Sequence, residues 1–568
     1  MPVDALVRRF VPLQLDVSDF SELEPLYQTL NDRPISSVED LEQWLVDFSE
    51  LASVISEYAS RSQIDYSCHT DDKDKEQTYL HYIENIAPKI KPLGFQLQKK
   101  YFDCGLADQL GETKFNILSR EWREEVALFR DENVPLQTEA AKLIKDYDKR
   151  CGEMLVEFQG NTFTMQQMAK FLEESDRDVR QKSWELVESR RAQDRQPMED
   201  LFDHLLELRA EIAANAGMDS YVDYMWRSLG RFDYMPDDCS RFSEAIEAVC
   251  MPAVKALNEQ RRKDLQLDRL RPWDLAVDSH GADPLRPFDP KDVEQLRGGC
   301  QEIFNRLSPD LAEDFSSLKF GQNLDLDSRK GKRPGGYQAS LPESKQAFIF
   351  MNAAGLHRDV ETMLHEAGHA FHYMWSCHEP IYFLQHAPME FCEVASMAME
   401  LLADEHINVF YDEAEVKRAV KKHLEGIIRL FPWIATIDQF QHWLYTHAGH
   451  SVDQRTAAWR QIRHRFSDPA IDWSGYEHFA DAMWQRQLHL YHVPFYYVEY
   501  GIAQLGALQV WLKSREDREG ALAKYRAGLT LGGTRPLPEL FSTAGIHFDF
   551  SEQTLRPLIA ALLDELAS

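Results

Sequence analysis

The run His365-Glu366-Ala367-Gly368-His369 constrains this chain more than any other. On a helix, positions i and i+4 share a face one turn apart, so two imidazoles so placed can bind one metal ion from the same side. The flanking residues Val360, Met363, Leu364, Ala367, Ala370, Phe371 and Met374 recur near helical spacing, which predicts a buried helix around the motif. Such a pair suits zinc, which in catalytic sites takes three protein ligands and keeps one position for water. Glu366, beside the first histidine, is placed to take a proton from that water. A third ligand candidate is Glu393, 24 positions after His369. Its neighbours Ala395, Met397, Ala398 and Leu401 make a carboxylate there costly unless it is paired or bound to metal. The competing reading is a pair of structural histidines.

Length and composition narrow the classes. At 568 residues the chain has room for several average domains or one large two-part body. A hydrophobic content of 44% supports a sizeable core. A formal charge of -31 argues against nucleic acid as a partner, since phosphate binding needs clustered Lys and Arg. No run of apolar residues is long enough to cross a bilayer, and the first residues lack a secretory apolar segment, so no membrane association is expected. The eight cysteines are scattered without a C-x-x-C pair, which predicts free thiols and a cytoplasmic location.

Most of the chain reads as helix. Ser37 with Asp40 resembles an N-cap, followed by Leu41, Trp44, Leu45, Phe48, Leu51, Val54, Ile55 and Tyr58 at helical spacing. Residues 154–163 read as a short hairpin, and Thr164 with Gln167 as a capping box. A long helical stretch is expected from Arg177 to Ala216, ended by Gly217. Residues 265–345 read mainly as loops, including a basic, mobile surface loop over 329–336. Tyr337–Leu341 and Gln346–Met351 read as two strands, either a plain hairpin or an edge to which an extended peptide adds. A division is placed near 195, with an N-terminal helical lobe over 1–195 and a catalytic part over 196–568, the two interleaved.

A second cluster lies between Trp484 and Tyr500, dense in His and Tyr. Pro494 suits the first turn of a helix, which puts Tyr496 and Tyr497 four and three positions before Tyr500 on one face. A phenol near zinc can donate to the oxyanion formed when water attacks a carbonyl. The alternative is an aromatic stripe packed in the core.

Taken together, H-E-A-G-H-A-F-H, E-V-A-S-x-x-x-E and H-x-x-x-x-P-F-Y-Y-x-x-Y resemble the oligoendopeptidase F branch of the thimet oligopeptidase and neurolysin zinc metallopeptidases. Segments such as Asp176–Arg180, Phe348–Asn352 and Gly532–Pro536 look similar too, and the resemblance covers most of 125–568. It implies a mainly α, two-lobed helical body with a deep central channel and a small β-sheet beside the zinc helix. It implies one zinc per chain, held by His365, His369 and Glu393, with Glu366 as base and Glu400 orienting a ligand histidine. Glu390, three before Glu393, ranks second as ligand because the E-V-A-S context attaches to Glu393. Tyr500 fits the family's oxyanion phenol, and Tyr497 and His489 its substrate-contacting positions. Tyr496 and the flexible loop at Gly532 and Gly533 join them near the cleft. The spacing from His489 to the tyrosines departs from the thimet branch, which leaves open which phenol acts. The implied activity is zinc-dependent cleavage of internal bonds in short unfolded peptides, by a monomer or homodimer. The rival readings are a zinc carboxypeptidase of similar fold and a catalytically silent peptide-binding protein.

Overall fold

The computed structural model describes residues 8–567 apart from 320, 330 and 334. Helices make up 69% of it, so the fold is mainly α. Ser37 caps α1 (Val38–Cys68), its side chain accepting from the Asp40 N–H. The apolar stripe of α1 is buried from Leu41 to Ile55 and shares a core with Leu30, Leu97, Tyr101, Leu118 and Trp122. The hairpin pairs β1 (Leu155–Phe158) with β2 (Asn161–Thr164), Val156 opposite Phe163. Thr164 and Gln167 then exchange the two capping-box bonds, at 3.0 and 3.2 Å.

The helix expected over 177–216 is two helices, α2 (Arg177–Gln193) and α3 (Arg195–Asn215). They part at Asp194, whose φ of -97° and ψ of 6° lie outside the helical range. Gly217, at φ +75°, ends the second. The region read as loops contains helices at Val293–Leu307 and Pro309–Ser317, the latter started by Ser308 as cap and Pro309 in its first turn.

A three-stranded sheet follows, built from β3 (Leu324–Asp327), β4 (Tyr337–Leu341) and β5 (Gln346–Ala353). β5 is central, parallel to β3 and antiparallel to β4. The chain continues through α4 (His357–Ser376), which lies against β4 and β5, and α5 (Met389–Ala403). It then forms the long α6 (Glu413–Thr446), the short α7 (Leu488–His492) and α8 (Val498–Glu516).

The basic stretch before β4 is anchored at its described residues, which corrects the expectation of a mobile surface loop; Lys330 and Pro334 lie outside the described residues. Lys332, fully buried at its side chain, meets Asp325 at 2.7 Å, and Arg329 pairs with the same carboxylate. Backbone bonds Arg333 N–H to Ser67 and Thr70 N–H to Gly331 fasten the stretch to the end of α1. Charges that read as solvated in sequence are here neutralised by Asp325 and Asp327.

The chain divides into two compact units. The first comprises residues 1–126, 286–420 and 503–548, the second 127–285, 421–502 and 549–568. The chain passes between them five times, twice within helices named here, α6 and α8. Residue 195 lies inside the second unit, at the junction of α2 and α3. The second unit has an aromatic core of its own that includes Phe202, Phe440, Trp459, Trp484 and Tyr491, all buried.

Candidate active site

In the first unit, α4 and α5 touch backbone to backbone. A Cβ on Gly368 would stand 2.7 Å from the Ala395 carbonyl oxygen and 2.7 Å from Ser396 Cα. The small residues Gly368, Ala395 and Ser396 therefore set how close the two helices come. Tyr525 holds the contact from behind, its hydroxyl donating to the Ala395 carbonyl at 2.7 Å.

That closeness brings three donors together. His365 Nε2 is 3.5 Å and His369 Nε2 3.7 Å from Glu393 Oε2. All three ligand atoms lie within 4.8 Å of one another, the one such group among the described residues. Donors bound to a tetrahedral ion at about 2.0–2.2 Å would be about 3.4 Å apart, so the set fits a zinc-sized ion. Its chemistry, two imidazoles and a carboxylate, fits as well. Ser396 Oγ donates to Glu393 Oε2 at 3.0 Å and holds the carboxylate in place. Glu390 is buried on the same helix and is not one of the three.

Glu400 lies 2.6 Å from His365 Nδ1. A carboxylate there accepts a hydrogen bond from Nδ1–H, which keeps the proton on Nδ1 and leaves Nε2 as the lone-pair donor. Burial would lower the His365 imidazole, but Glu400, with Glu393 and Glu366, carries it up to about 9. Burial pushes the neighbouring His369 down to about 4. The two imidazoles are nearly perpendicular, at 84°, with centroids 4.9 Å apart.

Glu366 is buried between α4 and β4. The Gln338 backbone N–H of β4 donates to its carboxylate. Burial pushes this carboxyl up to about 7; the His365 imidazole opposes the shift and Glu393 adds to it. A Cβ on Gly336, just before β4, would lie 3.7 Å from Glu366 Oε1, so a glycine there leaves space beside the acid. Gly336 and Gln338 carry no sequence signal of this role, since it arises from the register of β4 against α4.

In the second unit, His489, Tyr496, Tyr497 and Tyr500 form one cluster. The His489 ring centroid is 5.9 Å from Tyr496, 4.9 Å from Tyr497 and 5.6 Å from Tyr500. Tyr496 and Tyr497 are not helical, contrary to the expectation from Pro494; α8 begins at Val498. The reason is Phe495, held at φ +69°. Its N–H donates to Gln441 Oε1 at 2.7 Å and its carbonyl accepts from Arg231 at 2.6 Å. Left-handed backbone on a bulky residue costs about 1–3 kcal/mol and persists where the surroundings fix it. Buried Arg209 supports the other side, donating to the Leu490 and Tyr491 carbonyls at the end of α7.

Gly532 and Gly533 belong to the first unit and pack against the turn before α5. A Cβ on Gly532 would meet the Gln385 carbonyl oxygen at 2.7 Å, and one on Gly533 the His386 carbonyl oxygen at 2.4 Å. The Gly533 N–H donates to the Leu384 carbonyl at 2.8 Å. These glycines permit close backbone approach in a fastened turn.

A mainly helical fold that brings two histidines and a carboxylate to one point, with a buried acid alongside, has the donor set of a metallopeptidase. The model of Peptidase family M3 matches residues 170–558, and that of the Peptidase M3 N-terminal domain matches residues 10–129. The chain belongs to peptidase family M3, a metallopeptidase family. It is 23% identical over 353 residues to an oligoendopeptidase F homolog of Mycoplasma pneumoniae, a match covering 59% of this chain and 54% of that one. This and a Borreliella burgdorferi homolog are thus matched over about half their length. Among solved structures, a candidate oligoendopeptidase F superposes with a TM-score of 0.90 at 26% identity, covering 99% of both chains. PZ peptidase A with an inhibitor superposes with a TM-score of 0.89 at 25% identity, covering 98% of this chain and 99% of the other. No helix of the described residues is long and apolar enough to cross a membrane.

Proposed function

We propose that this chain is a zinc-dependent endopeptidase that cuts internal bonds of short unfolded peptides. The observation that carries the reading is the convergence of His365 Nε2, His369 Nε2 and Glu393 Oε2 within 4.8 Å, with Glu366 next to the first of them. His365, His369 and Glu393 hold the ion, and Glu400 fixes the ring of His365. Zinc so held supplies Lewis acidity, polarising a carbonyl and lowering the pKa of water toward ~7. Glu366 accepts the proton of the attacking water and returns it to the leaving amine. The phenol of Tyr500, with Tyr497 or His489, donates to the oxyanion that develops on the substrate. Tyr496, Gly532 and Gly533 serve the binding of the peptide. Kinship to oligoendopeptidase F homologues supports short peptides as substrates. Eight free cysteines support a cytoplasmic location.

The test pairs metal content with cleavage of an internally quenched peptide of about ten residues, in wild type and Glu366→Gln. One zinc in both, with internal cleavage by wild type alone, is the expected result. Zinc in both with cleavage by neither would sink the peptidase reading and favour a peptide-binding role. Mass spectrometry of a C-terminally blocked peptide separates an internal cut from removal of terminal residues, and only the former fits.

A further inference from the structure

His489 is held by a chain of hydrogen bonds with one permitted direction. The Trp433 indole nitrogen, a donor only, gives its hydrogen to Gln487 Oε1 at 3.0 Å. That fixes the amide: its oxygen faces the indole, and its NH2 faces the other way. Gln487 Nε2 lies 2.7 Å from His489 Nδ1. An NH2 group has only hydrogens to give, so Nδ1 must accept. A neutral imidazole that accepts at Nδ1 carries its proton on Nε2. Nε2 lies 3.5 Å from the Tyr500 hydroxyl oxygen.

The direction of that last contact matters. With the proton on Nε2, the Tyr500 oxygen accepts from the ring and its own proton turns to another acceptor. With the proton on Nδ1, the phenol would instead donate to the Nε2 lone pair, and its hydrogen would be spent inside the protein. We propose that Trp433 and Gln487 are positioning residues that set the tautomer of His489, so that the Tyr500 proton is presented outward as an oxyanion donor. This rests on the reading of Tyr500 given under the proposed function. A further observation agrees with it. Burial pushes the His489 imidazole down to about 4, with His492 adding to the shift, so the ring is neutral at neutral pH.

The experiment has a spectroscopic and a kinetic arm, both on the full chain. Long-range proton–nitrogen spectra of histidine-labelled wild type, with His489 assigned by loss of its signals in His489→Gln, report which ring nitrogen carries hydrogen. The expected state is Nε2–H; Nδ1–H in wild type would overturn the proposal without any variant. Gln487→Met keeps the length of the side chain and removes the amide, so Nδ1 no longer has to accept and the phenol can instead donate to the Nε2 lone pair. Its kcat should fall about 10- to 100-fold with KM changed less than about 2-fold, because a donor that acts only in the transition state is lost. In a Tyr500→Phe background the same substitution should cost less than about 2-fold more, since both act through one phenol. An undiminished second loss would mean a packing role and overturn the coupling. If the wild type cleaves no peptide, the function assigned to the site falls, while the spectra still decide the tautomer.

Discussion

Gly368 meets Ala395 with no space for a side chain, a Cβ standing 2.7 Å from the carbonyl oxygen across the two helices. The glycine inside the histidine motif is therefore what lets Glu393 reach His365 and His369. Gly368→Ala must push α5 away or distort it, and overpacking of this kind costs about 1–3 kcal/mol. A movement of a few tenths of an ångström also spreads the three donors. We expect a lower melting temperature and a zinc affinity reduced at least about 10-fold, measured by calorimetry and by competition with a chromophoric chelator. Wild-type affinity in a stably folded Gly368→Ala would mean the helices can part without moving Glu393.

Glu400 acts at one remove from the ion. Its carboxylate sits 2.6 Å from His365 Nδ1. Loss of such a partner typically lowers metal affinity about 10- to 100-fold. Glu400→Ala should fall in that range, whereas Glu400→Gln, which still offers an acceptor oxygen, should lose less. Equal losses in the two variants would show that charge, rather than ring orientation, is what Glu400 contributes.

The motif residues were legible in the sequence because helix geometry ties spacing to direction. His365 and His369 must share a face, and Glu393 and Glu400, seven apart, must as well. The amphipathic stripe from Leu41 to Ile55 was legible for the same reason. What escaped is set by contacts distant in the sequence. β3 was not foreseen, since Leu324–Asp327 is short and pairs in parallel with a strand beyond β4. The anchored stretch before β4 looked mobile because the acids that neutralise Arg329 and Lys332 are recognisable only once β3 is folded. Phe495 broke the helix expected from Pro494 because Gln441 and Arg231 hold its backbone, and no local pattern announces either. Gln487 and Trp433 lie 54 positions apart, and an isolated amide gives no sign that its orientation matters.

Asp325 is the counter-charge for a lysine with no exposed side-chain surface. Burial would raise the Asp325 carboxyl, but bonds from Arg329, Lys332 and Cys68 hold it well below the usual carboxylate range. The sign of the pH effect follows. A depressed carboxyl contributes stability that is present above its unfolded value of 3.8 and is lost as pH falls through the lower folded value. Removing one partner of a buried pair typically costs about 3–5 kcal/mol. Asp325→Asn should therefore unfold well below wild type at pH 7, with the gap narrowing in strong acid. Thermal melts from pH 7 to 2 would show it, and a gap independent of pH would assign the loss to packing.

Tyr500 is the phenol that His489 Nε2 approaches, at 3.5 Å, and Tyr497 and Tyr496 each lie 5.4 Å from it between ring centroids. Removal of one oxyanion donor typically costs about 10²–10³ in kcat. Tyr500→Phe keeps the ring that packs in the cluster and deletes only the hydroxyl, so its peptide affinity should stay within about 2-fold of wild type while kcat falls by that factor. Tyr497→Phe should cost less, because its ring is buried and it is the Tyr500 hydroxyl that His489 Nε2 approaches. Stopped-flow cleavage of a quenched peptide under single-turnover conditions separates chemistry from product release. If Tyr497→Phe is the slower enzyme, the two phenols exchange roles and the His489 contact is structural.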